Sequence, residues 1–271
     1  MGNVEATPAT TLMACEHLDV SFDGRQILSD LNFTLEKGKF TCICGPSGCG
    51  KTTIMSVMAG YLQPDRGQCL YKGRPVTGPS PDRLVVFQEN TLFQWMTLWD
   101  NTLFGPRIRG KDMEAAEKKA RELIELTGLT GFEHKFPGQL SGGMQRRAEL
   151  IRALINEPEI LLMDEPFRGL DAMTRGMMQE YFLNVFETTG ISMLLITSEL
   201  DEAVFMGDVV YLLSIMPTTI KQTMQVDLPR PRTLETMTSE AFAEIQATAF
   251  TALESEALKS FEHIPTAEAR E

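Results

Sequence analysis

The chain has 271 residues, 43% of them apolar, which is enough for one large globular domain or two modest ones. Its net charge of −12 leaves no basic stripe to neutralise phosphates, so a nucleic-acid partner is excluded; a bound nucleotide, which asks only for local positive potential, is not. No apolar run approaches the roughly 18 residues of a membrane span, and the N-terminus lacks a charged-then-apolar leader. Ala6 breaks the myristoylation pattern that Gly2 would open, so the expectation is a protein that is soluble or held at a membrane through a partner.

Residues 1 to about 12 are polar and read as loose. From Cys15 to Leu35, short alternating runs break at Asp23-Gly24, which predicts an antiparallel hairpin. Phe22 stands just before that turn, either as an exposed platform for a purine or as hairpin packing.

The stretch Phe40–Met55 (F-T-C-I-C-G-P-S-G-C-G-K-T-T-I-M) carries the most chemistry. It has the form G-x-x-x-x-G-K-S/T, set between an apolar strand and a helix. Gly45, Pro46, Ser47, Gly48, Cys49 and Gly50 would curl so that backbone N–H groups converge on phosphate oxygens. The following helix, opening with Lys51, Thr52 and Thr53, adds its positive end. Lys51 would reach the β- and γ-phosphates and the Thr52 hydroxyl would ligate Mg²⁺. This is a site for a nucleoside triphosphate.

The five cysteines (Cys15, Cys42, Cys44, Cys49, Cys69) match no zinc spacing. Cys42 and Cys44 would share one face of their strand as small buried hydrophobes, while Cys49 is expected to be open to alkylation when the site is empty. Gly60 stops the helix. Gln63–Ser80 reads as turns around one short strand, and Arg83–Phe87 as a strand ending in Gln88. Leu92–Trp99 is aromatic and apolar, suited to core or interface. Lys111–Leu126 is an amphipathic helix with Ala116, Ala120, Leu123 and Ile124 on one face, and about 94–156 reads as an inserted helical subdomain.

Ser141 is a good N-cap, and Gly142 and Gly143 leave the start of its helix bare. Ile160–Glu165 is a buried strand ending in two acids. Asp164, at the end of a neighbouring parallel strand, would hold Mg²⁺ across from Thr52. Glu165 would sit near the γ-phosphate and take a proton from attacking water. Strands at Ile191–Thr197 and Asp208–Ser214 alternate with helices, which implies a mostly parallel sheet with its ligand at the strand C-terminal ends. Beyond 216 the pattern changes, and a helix over about 238–261 carries Phe242, Ile245, Ala249 and Leu253 on one face, to pack on the core or meet a mate.

Taken together, the chain resembles the ATPase subunit of an ATP-binding cassette (ABC) transporter over about residues 14–216. Gly45–Thr52 resembles the Walker A motif, Gln88 the Q-loop, Leu140–Met144 the LSGGQ signature with Met for the last Gln, Ile160–Glu165 Walker B, and Gly169-Leu170-Asp171 the D-loop. The resemblance implies an α/β fold: a P-loop NTPase (RecA-like) core with a mostly parallel sheet, an antiparallel β subdomain and the helical insert. The parts would be a loose N-terminus (1–13), the ATPase domain (14–216) and an extension with one long helix (217–271).

The resemblance further implies ATP and Mg²⁺, with ATP sandwiched between two ATPase subunits, homodimer or paralogues. Ser141, Gly142 and Gly143 of one subunit would meet the γ-phosphate on the other, with Asp171 in the D-loop between them. Phe22 matches the aromatic that stacks on adenine. Gln88 would contact Mg²⁺ or the lytic water and link to a permease, for which Leu92–Trp99 would floor the docking groove. The implied place is the cytoplasmic face of the inner membrane, beside two permease copies and, indirectly, a substrate-binding protein. Phe93–Thr97 and the segment Met216-Pro217 through Leu228-Pro229-Arg230-Pro231-Arg232 look like ATPases of nitrate, sulfonate and taurine importers.

Besides Met144, one departure from the family pattern matters. Thr197-Ser198-Glu199-Leu200-Asp201-Glu202-Ala203 stands where the family has T-H-D-x-x-E-A, so Ser198 replaces a histidine. A hydroxyl donates one hydrogen bond with a short reach and no charge. The expectations are slower hydrolysis resting on Glu165, or a partly degenerate site paired with a histidine-bearing subunit. The remaining alternatives are a cassette ATPase that moves nothing and a nucleotide-binding regulatory subunit without turnover.

Overall fold

Asp23 and Gly24 both take positive φ (49° and 78°), the geometry of a tight hairpin whose twist matches that of its strands. They join β1 (Thr11–Phe22) to β2 (Arg25–Glu36). The computed structural model describes residues 11–262, with side chains through 254. Within the expected loose segment 1–13, residues 1–10 lie outside the described residues. Thr11–Met13 belong to β1, because Leu12 and Met13 are buried apolar residues and Met13 pairs with Leu35 of β2 and Tyr71 of β4.

After β3 (Phe40–Cys44) come the glycine turn and α1 (Lys51–Ala59), which Gly60 caps in the left-handed region. Then follow β4 (Arg66–Tyr71), β5 (Arg74–Pro75) and β6 (Arg83–Val86). The helical insert is α2 (Leu98–Ile108), α3 (Met113–Leu126) and α4 (Gly142–Leu154), and the residues α3 buries are Ala116, Ala120, Leu123 and Ile124. The chain continues through β7 (Ile160–Asp164), α5 (Ala172–Thr189), β8 (Ser192–Thr197), α6 (Leu200–Met206), β9 (Val209–Leu213), β10 (Ile220–Gln225) and α7 (Glu240–Glu262).

These strands form an antiparallel sheet, β2-β1-β4-β5, and a six-stranded sheet, β10-β9-β3-β8-β7-β6. The larger sheet is parallel except for β10, which pairs antiparallel with β9. β10 lies past the expected boundary at 216, so the segment beginning at 217 supplies a sheet strand as well as a helix.

The central strands are buried on both faces, as a covered parallel sheet requires. Ile43, Ile160, Leu162 and Ile196 pack with α1 and the antiparallel sheet; Cys42, Cys44, Leu161 and Met163 pack on the opposite face with the remaining helices. Each such side chain contributes about 1.5–3 kcal/mol. α7 packs on this second face through Phe242 and Ala249, with Ile245 and Leu253 beside them. The segment before it is held by Arg232, 3% exposed, which donates to the carbonyls of Phe205 (3.0 Å) and Gly207 (2.8 Å) at the end of α6.

Candidate functional site

β3 delivers the chain to the C-terminal edge of the sheet, where Gly45 N–H donates to Thr197 O of β8 (3.4 Å). A Cβ at Gly45 would lie 2.8 Å from Leu213 Cβ, so only glycine lets the loop leave the sheet here. Gly48 and Gly50 then turn the chain with φ of 78° and 97°. Gly50 is the N-cap of α1 and no side chain caps the helix, so the N–H groups of Lys51, Thr52 and Thr53 open its bare first turn. Lys51 is 5% exposed; its Nζ donates to Gly45 O and Pro46 O, both at 2.9 Å, and lies 3.6 Å from Glu165 Oε1. The ammonium thus sits at the middle of the turn.

Cys49 differs from its sequence-based expectation. Its N–H donates to Pro46 O (3.3 Å) and its side chain is only 2% exposed, turned into the core. Burial pushes the thiol pKa up, against the neighbouring Lys51 charge, so the thiol is shielded rather than open to alkylation. Its carbonyl accepts a hydrogen bond from the Thr218 hydroxyl, a prop from the far end of the chain.

β7 brings the acids, although it does not neighbour β3: β8 lies between them. The glycine turn crosses the end of β8, and the Thr52 hydroxyl meets the Asp164 carboxylate. Burial raises the pKa of Asp164, partly offset by that hydrogen bond. Glu165 adopts φ +41°, a conformation that costs a non-glycine residue of order 1–3 kcal/mol and marks a site where direction matters. Its N–H is fixed to Ile196 O at 2.8 Å, and its carboxylate lies between two cations, Lys51 on Oε1 and Arg168 Nη1 on Oε2 at 2.9 Å.

Over the turn lies a cavity of about 400 Å³ lined by Phe22, Ser47, Gly48, Gly50, Lys51, Thr52, Thr53, Gln88, Glu165, Arg168 and Met216. Phe22 is 48% exposed, a free aromatic face beside the turn. A second, more polar cavity of about 230 Å³ shares Ser47, Glu165 and Arg168 with the first and adds Ser198, Glu199 and Glu202. Ser198 therefore lies on the Glu165 side of the loop. Arg168 and Thr218 were not singled out from the sequence, and Met216 was named only for its family resemblance, not as a site residue. The one available signal was for Arg168: it follows Glu165 by three residues, and its N–H closes a turn on Glu165 O at 3.1 Å.

The remaining candidates stand elsewhere. Ser141 caps α4 by accepting from Met144 N (3.3 Å), and Asp171 caps α5 by accepting from Thr174 N (3.0 Å), which lowers the Asp171 pKa. These two helix starts adjoin each other: a Cβ on Gly143 would lie 3.4 Å from Thr174 Cγ2. Neither cavity over the phosphate loop is lined by Ser141, Gly142, Gly143 or Asp171. The stretch Leu92–Trp99 divides, with Leu92 and Leu98 in the core and Trp95 72% exposed. Phe93 and Phe104 line a third cavity, of about 380 Å³, with Glu149 and Arg152 of α4. Arg146 of α4 donates to Phe87 O (2.8 Å) and to Gln88 O, tying the Gln88 segment to the helix that Ser141 caps.

Thr52, Asp164 and Gln88 offer oxygen donors only. Among the described residues, no cluster of three or more His, Cys, Asp or Glu could cage an ion. That donor set fits Mg²⁺, which keeps waters and phosphate oxygens and takes one or two protein carboxylates. No helix among the described residues is long and apolar enough to cross a membrane.

The family described as ABC transporter matches residues 28–168. The chain is 43% identical over 193 residues to the taurine import ATP-binding protein TauB of Pelagibacter ubique, covering 71% of this chain and 73% of that protein. It is 38% identical over 221 residues to the aliphatic sulfonates import ATP-binding protein SsuB of Bacillus cereus, covering 82% and 86%. In fold it is similar to CbiO1 of Clostridium perfringens, part of the transporter complex CbiONQ, with a TM-score of 0.75 at 22% identity over 94% of this chain and all of that one.

Proposed function

Since the chain belongs to the ABC transporter family of ATP-binding subunits, which hydrolyse ATP to drive transport, we propose that it energises the import of a small anion such as taurine or an aliphatic sulfonate. The observation that carries the catalytic part is the joining of Lys51, Thr52, Asp164 and Glu165 beside the bare start of α1. The nucleotide-binding unit is proposed to run from Thr11 to Val226, since β10 completes the sheet and Thr218 props the loop.

In this reading adenine stacks on Phe22 and the triphosphate lies along the glycine turn, held by the N–H groups of the first turn of α1. Lys51 neutralises the β- and γ-oxygens. Thr52, Asp164 and Gln88 would hold Mg²⁺, which supplies charge neutralisation to the phosphates. Glu165 takes the proton of the attacking water as its oxygen bonds to the γ-phosphorus. The bond to the bridging oxygen breaks and ADP leaves with the electron pair. The separate patch of Ser141, Gly142, Gly143 and Asp171 serves the γ-phosphate of a second subunit, and the cavity beside Phe93 receives a permease segment at the cytoplasmic face. The test is Glu165→Gln: turnover of Mg-ATP should fall about 100-fold or more with ATP affinity retained. Equal rates would sink the enzymatic role of this site.

The second reading is a slow or partly degenerate site, favoured by Ser198 in the cavity beside Glu165. Ser198→His should then raise turnover several-fold, and an unchanged rate in the intact transporter would remove Ser198 as a limit on hydrolysis.

A further inference from the structure

A carboxylate base beside a triphosphate has an electrostatic problem. Glu165 must approach a polyanion with Asp164 as its chain neighbour, and like charges disfavour the approach. Lys51 cannot solve this alone, because the phosphates compete for the same ammonium. Two arginines border the cavity on this side, Arg168 and Arg175; the one in contact with Glu165 is Arg168, whose Nη1 lies 2.9 Å from Glu165 Oε2. Its side chain is 60% exposed and borders both cavities, the one over the phosphate turn and the one containing Ser198. Ser198 brings no charge to this side, and neither of the described histidines, His17 and His134, lines either cavity.

We propose that Arg168 is a positioning residue for hydrolysis: its guanidinium holds the Glu165 carboxylate against the repulsion of the γ-phosphate and keeps it aimed along the direction that the left-handed backbone of Glu165 sets. The inference rests on the reading that Glu165 is the base. The turn from Glu165 to Arg168 makes the pairing local, so it forms in each subunit without help from another. Only Nη1 is engaged, on one carboxylate oxygen, which leaves the rest of the fork facing the cavities and Oε1 free to receive the proton once Lys51 is drawn to phosphate.

The test compares the wild-type full-length chain, assembled in its transporter, with Arg168→Met, Arg168→Lys and each change combined with Glu165→Gln. Steady-state Mg-ATP hydrolysis and binding of a fluorescent ATP analogue are both read. Arg168→Met should lower kcat about 10- to 100-fold with KM and analogue affinity within about twofold. Arg168→Lys should recover most of the loss, since it returns the charge but not the fork. In the Glu165→Gln background Arg168→Met should have no further effect, as groups acting as one unit are not additive. A kcat for Arg168→Met equal to or above wild type would overturn the proposal, the latter marking Arg168 as a brake on the base. Loss of analogue binding in Arg168→Met, or an equal further loss in the Glu165→Gln background, would also overturn it. A wild type no faster than Glu165→Gln would sink the reading of Glu165 itself and this inference with it, whereas a fast wild type with an indifferent Arg168→Met sinks the inference alone.

Discussion

Replacing Arg146 with Met severs a buried ion pair within α4 together with the hydrogen bonds that fasten the Gln88 segment to that helix. Arg146 Nη1 lies 2.6 Å from Glu149 Oε2, with the two side chains 9% and 1% exposed. Removing one partner of a buried pair costs about 3–5 kcal/mol, because the other charge stays buried. Two bonds to Glu149 survive, from Thr91 N (2.6 Å) and Thr91 Oγ1 (3.0 Å), and they favour the lower end of that range. Phe87 O and Gln88 O also lose their donor, but both residues are exposed and water can replace it. A loss of about 3 kcal/mol corresponds, at about 2–4 °C per kcal/mol for a chain of this size, to a melting temperature lower by about 6–12 °C. Thermal unfolding followed by circular dichroism measures it, and amide exchange at Phe87–Thr91 should speed up in parallel. The double variant Arg146→Met/Glu149→Leu should regain part of the loss by removing the stranded charge. A fall below about 2 °C, or a double variant less stable than the single one by the full cost of a second lesion, would refute the buried-charge reasoning.

Mg²⁺ and a proton compete for Asp164, whose pKa burial raises. Mg-dependent ATP affinity should therefore rise with pH through a window above the usual aspartate value of about 3.9 and then level off, as isothermal titration at several pH values would show. The same sign holds for stability: the folded chain binds this proton more tightly than the unfolded chain, so the contribution is greatest in acid and declines as pH rises through the raised pKa. Asp164→Asn should accordingly abolish the Mg²⁺ response yet melt no lower than wild type at neutral pH without nucleotide; a lower melt would contradict the burial argument. Phe22→Ala should raise the KM for ATP by about 2- to 10-fold with little change in kcat, the size of one stacking contact; an unchanged KM would return Phe22 to hairpin packing.

What the sequence disclosed was local or periodic. Asp23-Gly24 and Gly60 announce positive φ by residue type, and the buried face of α3 follows from spacing alone. β10 escaped notice because Ile220–Gln225 sits at the sheet edge and buries only Met224, leaving no apolar run to detect. Sheet order is non-local, so nothing in the chain says that β8 separates β3 from β7, although Thr52 and Asp164 still meet. The side-chain direction of Cys49 depends on how the turn packs against Thr218, 169 residues away, and no window of sequence contains both. Arg168 became a candidate only once the turn at Glu165 brought the two side chains together.

The bond from Thr218 to Cys49 also orders events during synthesis. The glycine turn leaves the ribosome early, yet its prop follows 169 residues later, and β10 later still. A nascent or prematurely terminated chain would carry every residue of the phosphate-binding sequence without the support that shapes it. Nucleotide affinity thereby reports whether synthesis has passed Thr218: released fragments ending before it should capture ATP poorly.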